Sequence, residues 1–321
     1  MRAGQNPAKA VNEVAKPQRI TVAVLNFIPF LSGYFADMLD VLKTCLESIW
    51  ANTDLPYDLL VFDNGSCAEV KDYLNNLVKE GRIQYLILSE KNIGKGGAWN
   101  IILKGAPGDI IAYTDNDCYF YPGWLSRSME VLETFPNVGM VTSRPFRMSN
   151  ALNTATFAWA NESPEVTISK GQFISWEDFK DFNTSLGTSE EEVAQWYNGG
   201  GDDIHVTYHG VTAQIGACHY QFLTKKSIIE QFLPFQMDRP MGQVRQLDIL
   251  MNERGYLRLM TSDSLMRNMS NTLPDDLKTQ TEKDQPKKSV VKSEKGIFYI
   301  PLVKKVLMRL YNKIFSIYYR K

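Results

Sequence analysis

The 321-residue chain carries 35 Lys and Arg against 36 Asp and Glu, a formal net charge of -1, so no global basic field draws it to nucleic acid. With 44% hydrophobic and 12% aromatic residues, most of it is expected to fold around a large core, as one α/β unit or two smaller domains. Its four cysteines, Cys45, Cys67, Cys118 and Cys218, lack metal or redox spacing and read as reduced cytosolic thiols.

Met1 to Arg19 is polar and mildly basic, with no apolar core. It reads as a disordered lead, not a signal peptide or anchor. Ile20 to Leu25 is a buried-strand pattern ending at Asn26, followed by helical spacing from Phe35 to Trp50. Tyr57 to Phe62 is a second strand, closing on Asp63-Asn64-Gly65-Ser66. Ser66 with Glu69 has the spacing of a capping box, predicting a helix that turns Val70, Tyr73, Leu74, Leu77 and Val78 inward. Ile83 to Leu88 is a third strand, and Asn92-Ile93-Gly94-Lys95-Gly96-Gly97 leads into a helix through Leu103. Ile110 to Thr114 is a fourth strand, Trp124 to Phe135 a helix, and Val138 to Val141 a fifth strand. Strands and helices alternating in this way imply βαβ units and a mainly parallel sheet flanked by helices, Rossmann-like in type. Ligands bind such sheets outside the carboxyl ends of the strands. Asn26, Asp63, Asn92 to Gly97 and Asp115 to Asp117 all fall there.

Asp115 and Asp117, two apart in an extended segment, would project to one side and hold a hard divalent cation, Mn2+ or Mg2+. The same text also suits a polar turn after a buried strand. Gly94 to Gly97 lets backbone approach a ligand and opens a helix whose N-terminus favours anions, with Lys95 adding a charge for a phosphate. Asp63 would accept a hydrogen bond from a base or ribose, although Asp-Asn-Gly-Ser is also strong turn chemistry. Neither a P-loop nor Gly-x-Gly-x-x-Gly is present, which disfavours ATPases and dinucleotide enzymes.

From Asn150 to His209 the alternation breaks down into polar, aromatic-rich text, open to reading as an acceptor-binding insertion or a surface helical excursion. Thr212 to Leu223 is strand-like again, and Gln246 to Tyr256 is a helix with Gly255 at its C-terminal cap. Residues 272–296 form a polar linker. Ile297 to Lys321 then carries six basic residues and no acidic ones. Its polar residues Lys305, Arg309, Asn312, Lys313, Ser316 and Arg320 share one narrow helical sector beside a wide apolar arc. This is the profile of an in-plane helix on an anionic membrane surface, with docking on the protein's own body as the competing reading.

The pieces Val61-Phe62-Asp63-Asn64-Gly65-Ser66, Asn92 to Asn100 and Tyr113-Thr114-Asp115-Asn116-Asp117 resemble, in order and spacing, family 2 of the GT-A fold glycosyltransferases. The likeness is good over residues 20–145 and loose over 210–271. It implies one GT-A-like domain over 20–271, with a nucleotide-sugar half (20–145) and an acceptor half (146–271). By resemblance, Asp63 contacts the nucleotide, Asp115 and Asp117 serve a metal–diphosphate, and the acceptor is a hydroxyl of a glycan or lipid-linked glycan. An inverting transfer then needs a general base. The family places it in an acidic pair before a Gly-Tyr. Here Gly255-Tyr256 follows a segment with one carboxylate, so Asp248 is the candidate, with Asp202 and Asp203 as rivals. Trp176-Glu177-Asp178 spells the pair in the wrong order. The late histidine of many relatives is missing, and Arg267-Asn268-Met269-Ser270 occupies its place, leaving Asn268 or water to complete a metal shell. His209 and His219 read as acceptor-loop or core residues. The expected enzyme is cytoplasmic and peripheral to the membrane. A sugar nucleotidyltransferase and a catalytically inactive, membrane-recruited nucleotide-sugar-binding module are the alternatives.

Overall fold

A run of apolar residues with no alternation makes strand β1 (Ile20–Asn26), and it is buried along its whole length, as a strand covered on both faces should be. The computed structural model describes residues 4–236 and 244–281, together with Leu310 and Lys313. Around β1 lie β2 (Tyr57–Asp63), β3 (Tyr85–Leu88) and β4 (Ile110–Asp115), all parallel, in the order β3–β2–β1–β4. Helices α1 (Met38–Asn52), α2 (Ala68–Lys79) and α3 (Gly94–Gly105) make the crossovers. The register sets Asn26 opposite Asp63 and Leu25 opposite Asp115. The carboxyl ends are therefore level, and the polar residues that close each strand meet on one rim.

The chain continues through β5 (Cys118–Phe120), α4 (Trp124–Thr134), β6 (Val138–Thr142), α5 (Thr154–Glu162), β7 (Thr167–Gly171), α6 (Trp176–Ser185), α7 (Glu190–Gly199), β8 (Asp203–Tyr208), β9 (Val211–Ile215) and β10 (Gln221–Lys225). It is completed by α8 (Lys226–Ile229), α9 (Arg245–Glu253), β11 (Leu257–Thr261), β12 (Met266–Asn268) and α10 (Asp275–Thr281). The ten-stranded sheet runs β3–β2–β1–β4–β10–β6–β11–β9–β8–β7. Within it β10, β9 and β7 run against the other strands. The expected mostly parallel α/β sheet flanked by helices is thus present, and the reversed strands all lie beyond β4 in the sheet order. The strand-like stretch expected over Thr212 to Leu223 is two strands, β9 and β10, separated by Gly216–Tyr220.

The reversed direction of β10 matters for the site. Gln221 pairs with Thr114, so the five residues before β10 lie over the carboxyl end of β4. Likewise β12 pairs with β5, setting Asn268 opposite Cys118. One face of the sheet is covered by α3 and α9, whose Trp99, Ile102, Leu103, Leu247 and Met251 join Tyr113 and Phe222 in one buried cluster. Trp99 stands edge-on to Tyr113 (5.3 Å), Phe222 (5.8 Å) and Phe235 (5.5 Å). Such pairs add about 0.5–1.5 kcal/mol each beyond burial, anchoring α3 over β4.

The Asn150–His209 stretch is organised: α6 and α7 enclose Ile174, Phe179 and Val193, and β7 and β8 extend the sheet. Residues 4–19 are exposed, with one 3-10 turn at Pro7–Ala10. The chain divides into two compact units at Pro274/Asp275. The second contains α10, which lies in the stretch read as a polar linker. The segment 297–321 lies outside the described residues, apart from Leu310 and Lys313. Among the described residues no helix is long and apolar enough to cross a membrane.

Candidate functional site

Strand β4 delivers Asp115 to the rim, half-buried, and the fold pairs it at once. Its Oδ2 meets the Lys95 ammonium of α3 at 2.5 Å, and its Oδ1 accepts the Tyr113 hydroxyl at 2.6 Å. Lys95 also lies over the rings of Trp99 (5.6 Å) and Tyr113 (5.8 Å), so its position is set by charge and by cation–π attraction. Asp117 lies two residues on in the turn between β4 and β5. The turn, rather than an extended i, i+2 geometry, therefore puts the two carboxylates in one neighbourhood. Burial first, and then the charge of Asp115, push the Asp117 carboxyl up to about 7, against the pull of Lys95.

Two carboxylates facing one ammonium leave a negative surplus in a partly desolvated place. That donor set fits a hard divalent cation. Among the described residues no group of three or more His, Cys, Asp or Glu converges. Asp115 and Asp117 would therefore hold such an ion together with ligand oxygens and water. The Asn268 segment does lie alongside, since the Met269 N–H donates to the Asp117 carbonyl at 2.7 Å. The Asn268 Oδ1 itself accepts the Ser270 N–H at 2.9 Å.

Asn26 and Asp63, expected as ligand contacts, are fully buried. The Asn26 amide donates to Asp63 Oδ1 (2.7 Å) and Ser66 Oγ (3.0 Å), while its Oδ1 accepts from Asn116 (2.7 Å). The Ser66 N–H donates to Asp63 Oδ2 at 3.0 Å, and Ser66 Oγ accepts the Ile28 N–H at 2.9 Å. This network ties the ends of β1 and β2 to the turn that carries Asp117. Both carboxylate oxygens of Asp63 are thus engaged within the protein. The capping box is corrected: the N-cap of α2 is Cys67, with no side-chain cap bond, because the Ser66 hydroxyl is committed to Asn26 and Ile28.

Asn92 does cap. Its Oδ1 accepts from the Gly94 N–H (2.8 Å) and from the Asn64 amide (3.0 Å), and Asn64 Oδ1 accepts the Ile93 N–H (2.9 Å). The first turn of α3 is thereby fixed against the Asp63–Ser66 loop, aiming its remaining N–H groups and Lys95 at the rim. Gly65 permits this approach. At φ +88° a Cβ there would stand 2.8 Å from the Lys91 carbonyl carbon and 2.9 Å from the Asn92 nitrogen.

Asp248 lies in the first turn of α9 and is 3% exposed. Its Oδ1 pairs with Arg258 Nη2 at 2.6 Å and its Oδ2 with His219 Nδ1 at 2.7 Å. Arg258 is fully buried on β11, where burial lowers its pKa, and it also donates to Leu152 O, Asn153 Oδ1 and Ala217 O. Of the rivals, Asp203 is committed to Arg147 and to the N–H groups of Phe173 and Ile174, whereas Asp202 is exposed. Glu177 and Asp178 occupy the first turn of α6, where Ser175 caps the helix and bonds Asp178. His219, read from the sequence as an acceptor-loop or core residue, sits in no local motif that marks it. The only clue was its place just before β10.

Residues 34–181 match the family model described as glycosyl transferase family 2. An uncharacterized glycosyltransferase of Nostoc sp. is 28% identical over 100 residues, 31% of this chain and 31% of that protein. One from Rickettsia felis is 22% identical over 241 residues, 65% of this chain and 39% of that protein. The chain thus spans only about a third of the length of these curated relatives. A Pyrobaculum calidifontis mannosyltransferase solved with GDP-Man and Mn2+ superposes with a TM-score of 0.45 at 18% identity, over 78% of this chain and 56% of that one.

Proposed function

We propose, from the match of residues 34–181 to the model described as glycosyl transferase family 2, that the chain moves a sugar from a nucleotide-diphosphate donor to a hydroxyl acceptor, with inversion. The observation that carries this reading is the charge arrangement at the end of β4. Lys95 bridges to Asp115 at 2.5 Å beside the half-buried Asp117, and the first turn of α3 faces the same rim. A diphosphate there would take the Lys95 ammonium and the free N–H groups of α3 on one side. On the other side it would share Mn2+ or Mg2+ with Asp115 and Asp117. Such a cation, when bound, neutralises charge on the departing diphosphate. Asn26, Asp63 and Asn92 act by holding the loops on which the nucleotide rests.

Asp248 is the carboxylate assigned to the acceptor side, where a proton must leave the attacking hydroxyl. The acceptor class that suits the basic, apolar segment 297–321 is a membrane- or lipid-linked glycan, reached by an enzyme peripheral to the cytoplasmic face.

A thermal-shift panel of UDP, GDP and dTDP, in Mn2+ and in EDTA, tests the reading. A nucleotide at about 100 times its Kd adds roughly 2.7 kcal/mol, or about 5–10 °C for a domain of this size. At least one should stabilise the protein more in Mn2+ than in EDTA. If none shifts the melting temperature in either, the donor site is wrongly assigned.

A further inference from the structure

We infer that the group that takes the acceptor's proton is His219, through Nε2, and that Asp248 acts behind it as a positioning residue. This rests on the glycosyl-transfer reading and deepens it. Both oxygens of Asp248 are engaged and the residue is nearly buried, so a bulky hydroxyl acceptor has no path to it. His219, with its side chain 29% exposed, stands between that carboxylate and solvent. An ionised carboxylate can only accept, so Nδ1 carries the proton shared with Asp248 Oδ2 at 2.7 Å. That leaves the Nε2 lone pair available, and no described protein group bonds it. Arg258, locked by Ala217 O, Leu152 O and Asn153, holds Asp248 from the other side. A base oriented by a third group is the arrangement general-base chemistry requires.

Placement links the dyad to the donor. Asp115 N–H donates to the Tyr220 carbonyl at 2.9 Å, so the residue after His219 is bonded to the donor carboxylate's own backbone. On the other side of His219, Ala217 O accepts from Arg258 Nη2 at 2.5 Å, which ties the same connection to the arginine that holds Asp248. The imidazole is therefore carried on a five-residue connection spanning the donor rim and α9.

The step balances as a displacement. The acceptor O–H bond breaks and its proton passes to Nε2. The oxygen forms the new bond to the anomeric carbon, and the bond from that carbon to the diphosphate oxygen breaks with its electron pair on the diphosphate. The imidazolium, stabilised by Asp248, then returns its proton to solvent.

The test uses the whole chain with water as acceptor, following release of UDP or GDP from UDP-glucose and GDP-mannose in Mn2+, alongside the thermal shift produced by UDP and GDP. His219→Gln should lower turnover by about two to four orders of magnitude and leave the nucleotide shift unchanged. His219→Ala should recover part of its rate in added imidazole, which a purely structural histidine would not. The chain has three histidines, so the tautomer of each is readable by 15N resonance. His219 should show Nδ1–H in the wild type and lose that preference in Asp248→Asn. Turnover by His219→Gln within about threefold of wild type overturns the inference, as does loss of nucleotide binding in that variant, which would mark a donor-site support. If the wild type neither binds nor cleaves any donor, the glycosyl-transfer reading fails and takes this inference with it.

Discussion

Replacing Asp117 by Asn should make the empty protein more stable at alkaline pH while removing its metal-dependent donor binding. The carboxyl of Asp117 is pushed from 3.8 up to about 7 by burial and by Asp115. A carboxyl with a raised folded pKa is a group the fold prefers neutral. Its favourable contribution is complete below the unfolded value near 3.8 and is lost as pH rises toward 7. The full shift corresponds to on the order of 4 kcal/mol. Asp117 keeps some solvent contact, so screening reduces this to about 1–2 kcal/mol, or roughly 3–8 °C in Tm. Asn keeps the volume and removes the titration. The assay is differential scanning fluorimetry from pH 4 to 8.5 in EDTA, repeated with Mn2+ and whichever nucleotide diphosphate stabilises the wild type. The variant should melt above wild type at pH 8, converge with it near pH 4, and lose most of the Mn2+-dependent nucleotide shift. An Asn variant less stable than wild type at pH 8, or one stabilised equally by Mn2+ and nucleotide, would refute the reasoning.

Lys95→Met removes the internal cation of the site. Charge-assisted bonds contribute about 1.5–3 kcal/mol, so nucleotide-diphosphate affinity by calorimetry should fall about 10- to 100-fold, more in EDTA than in Mn2+. Gly65→Ala sets a Cβ against the Lys91–Asn92 backbone at a positive φ. It should cost about 1–3 kcal/mol, read as a lowered Tm, and loosen the loop that anchors α3. Deleting residues 297–321 should leave nucleotide binding intact and release the protein from phosphatidylserine vesicles in a sedimentation assay. Each basic residue near an anionic leaflet contributes about 1 kcal/mol, so the full-length protein should bind less well as salt rises. Unchanged sedimentation after the deletion would mean that another surface binds.

Apart from β5, the strands and helices of the first 142 residues could be read from the chain because each is a local periodicity of adequate length, and the polar strand ends could be placed on one rim because parallel strands share a direction. Gly255 stopping α9 at positive φ is likewise local chemistry. The strands β5 and β12 could not be found in this way, since three residues carry no period and each exists only because the other pairs with it from some 150 positions away. Ser66 looks like a helix cap until Asn26, 40 residues earlier, claims its hydroxyl. Arg258 in Leu-Arg-Leu-Met-Thr has the outward look of an exposed charge, yet it is buried because α9 brings Asp248 to it. His219 stays anonymous until β10 runs backwards along β4 and sets it beside that same carboxylate. Residue types and short-range spacing determine which groups can do the chemistry. Which of them are spent on one another, and which are left facing solvent, depends on partners far apart in the chain that only the packed sheet brings within hydrogen-bond reach.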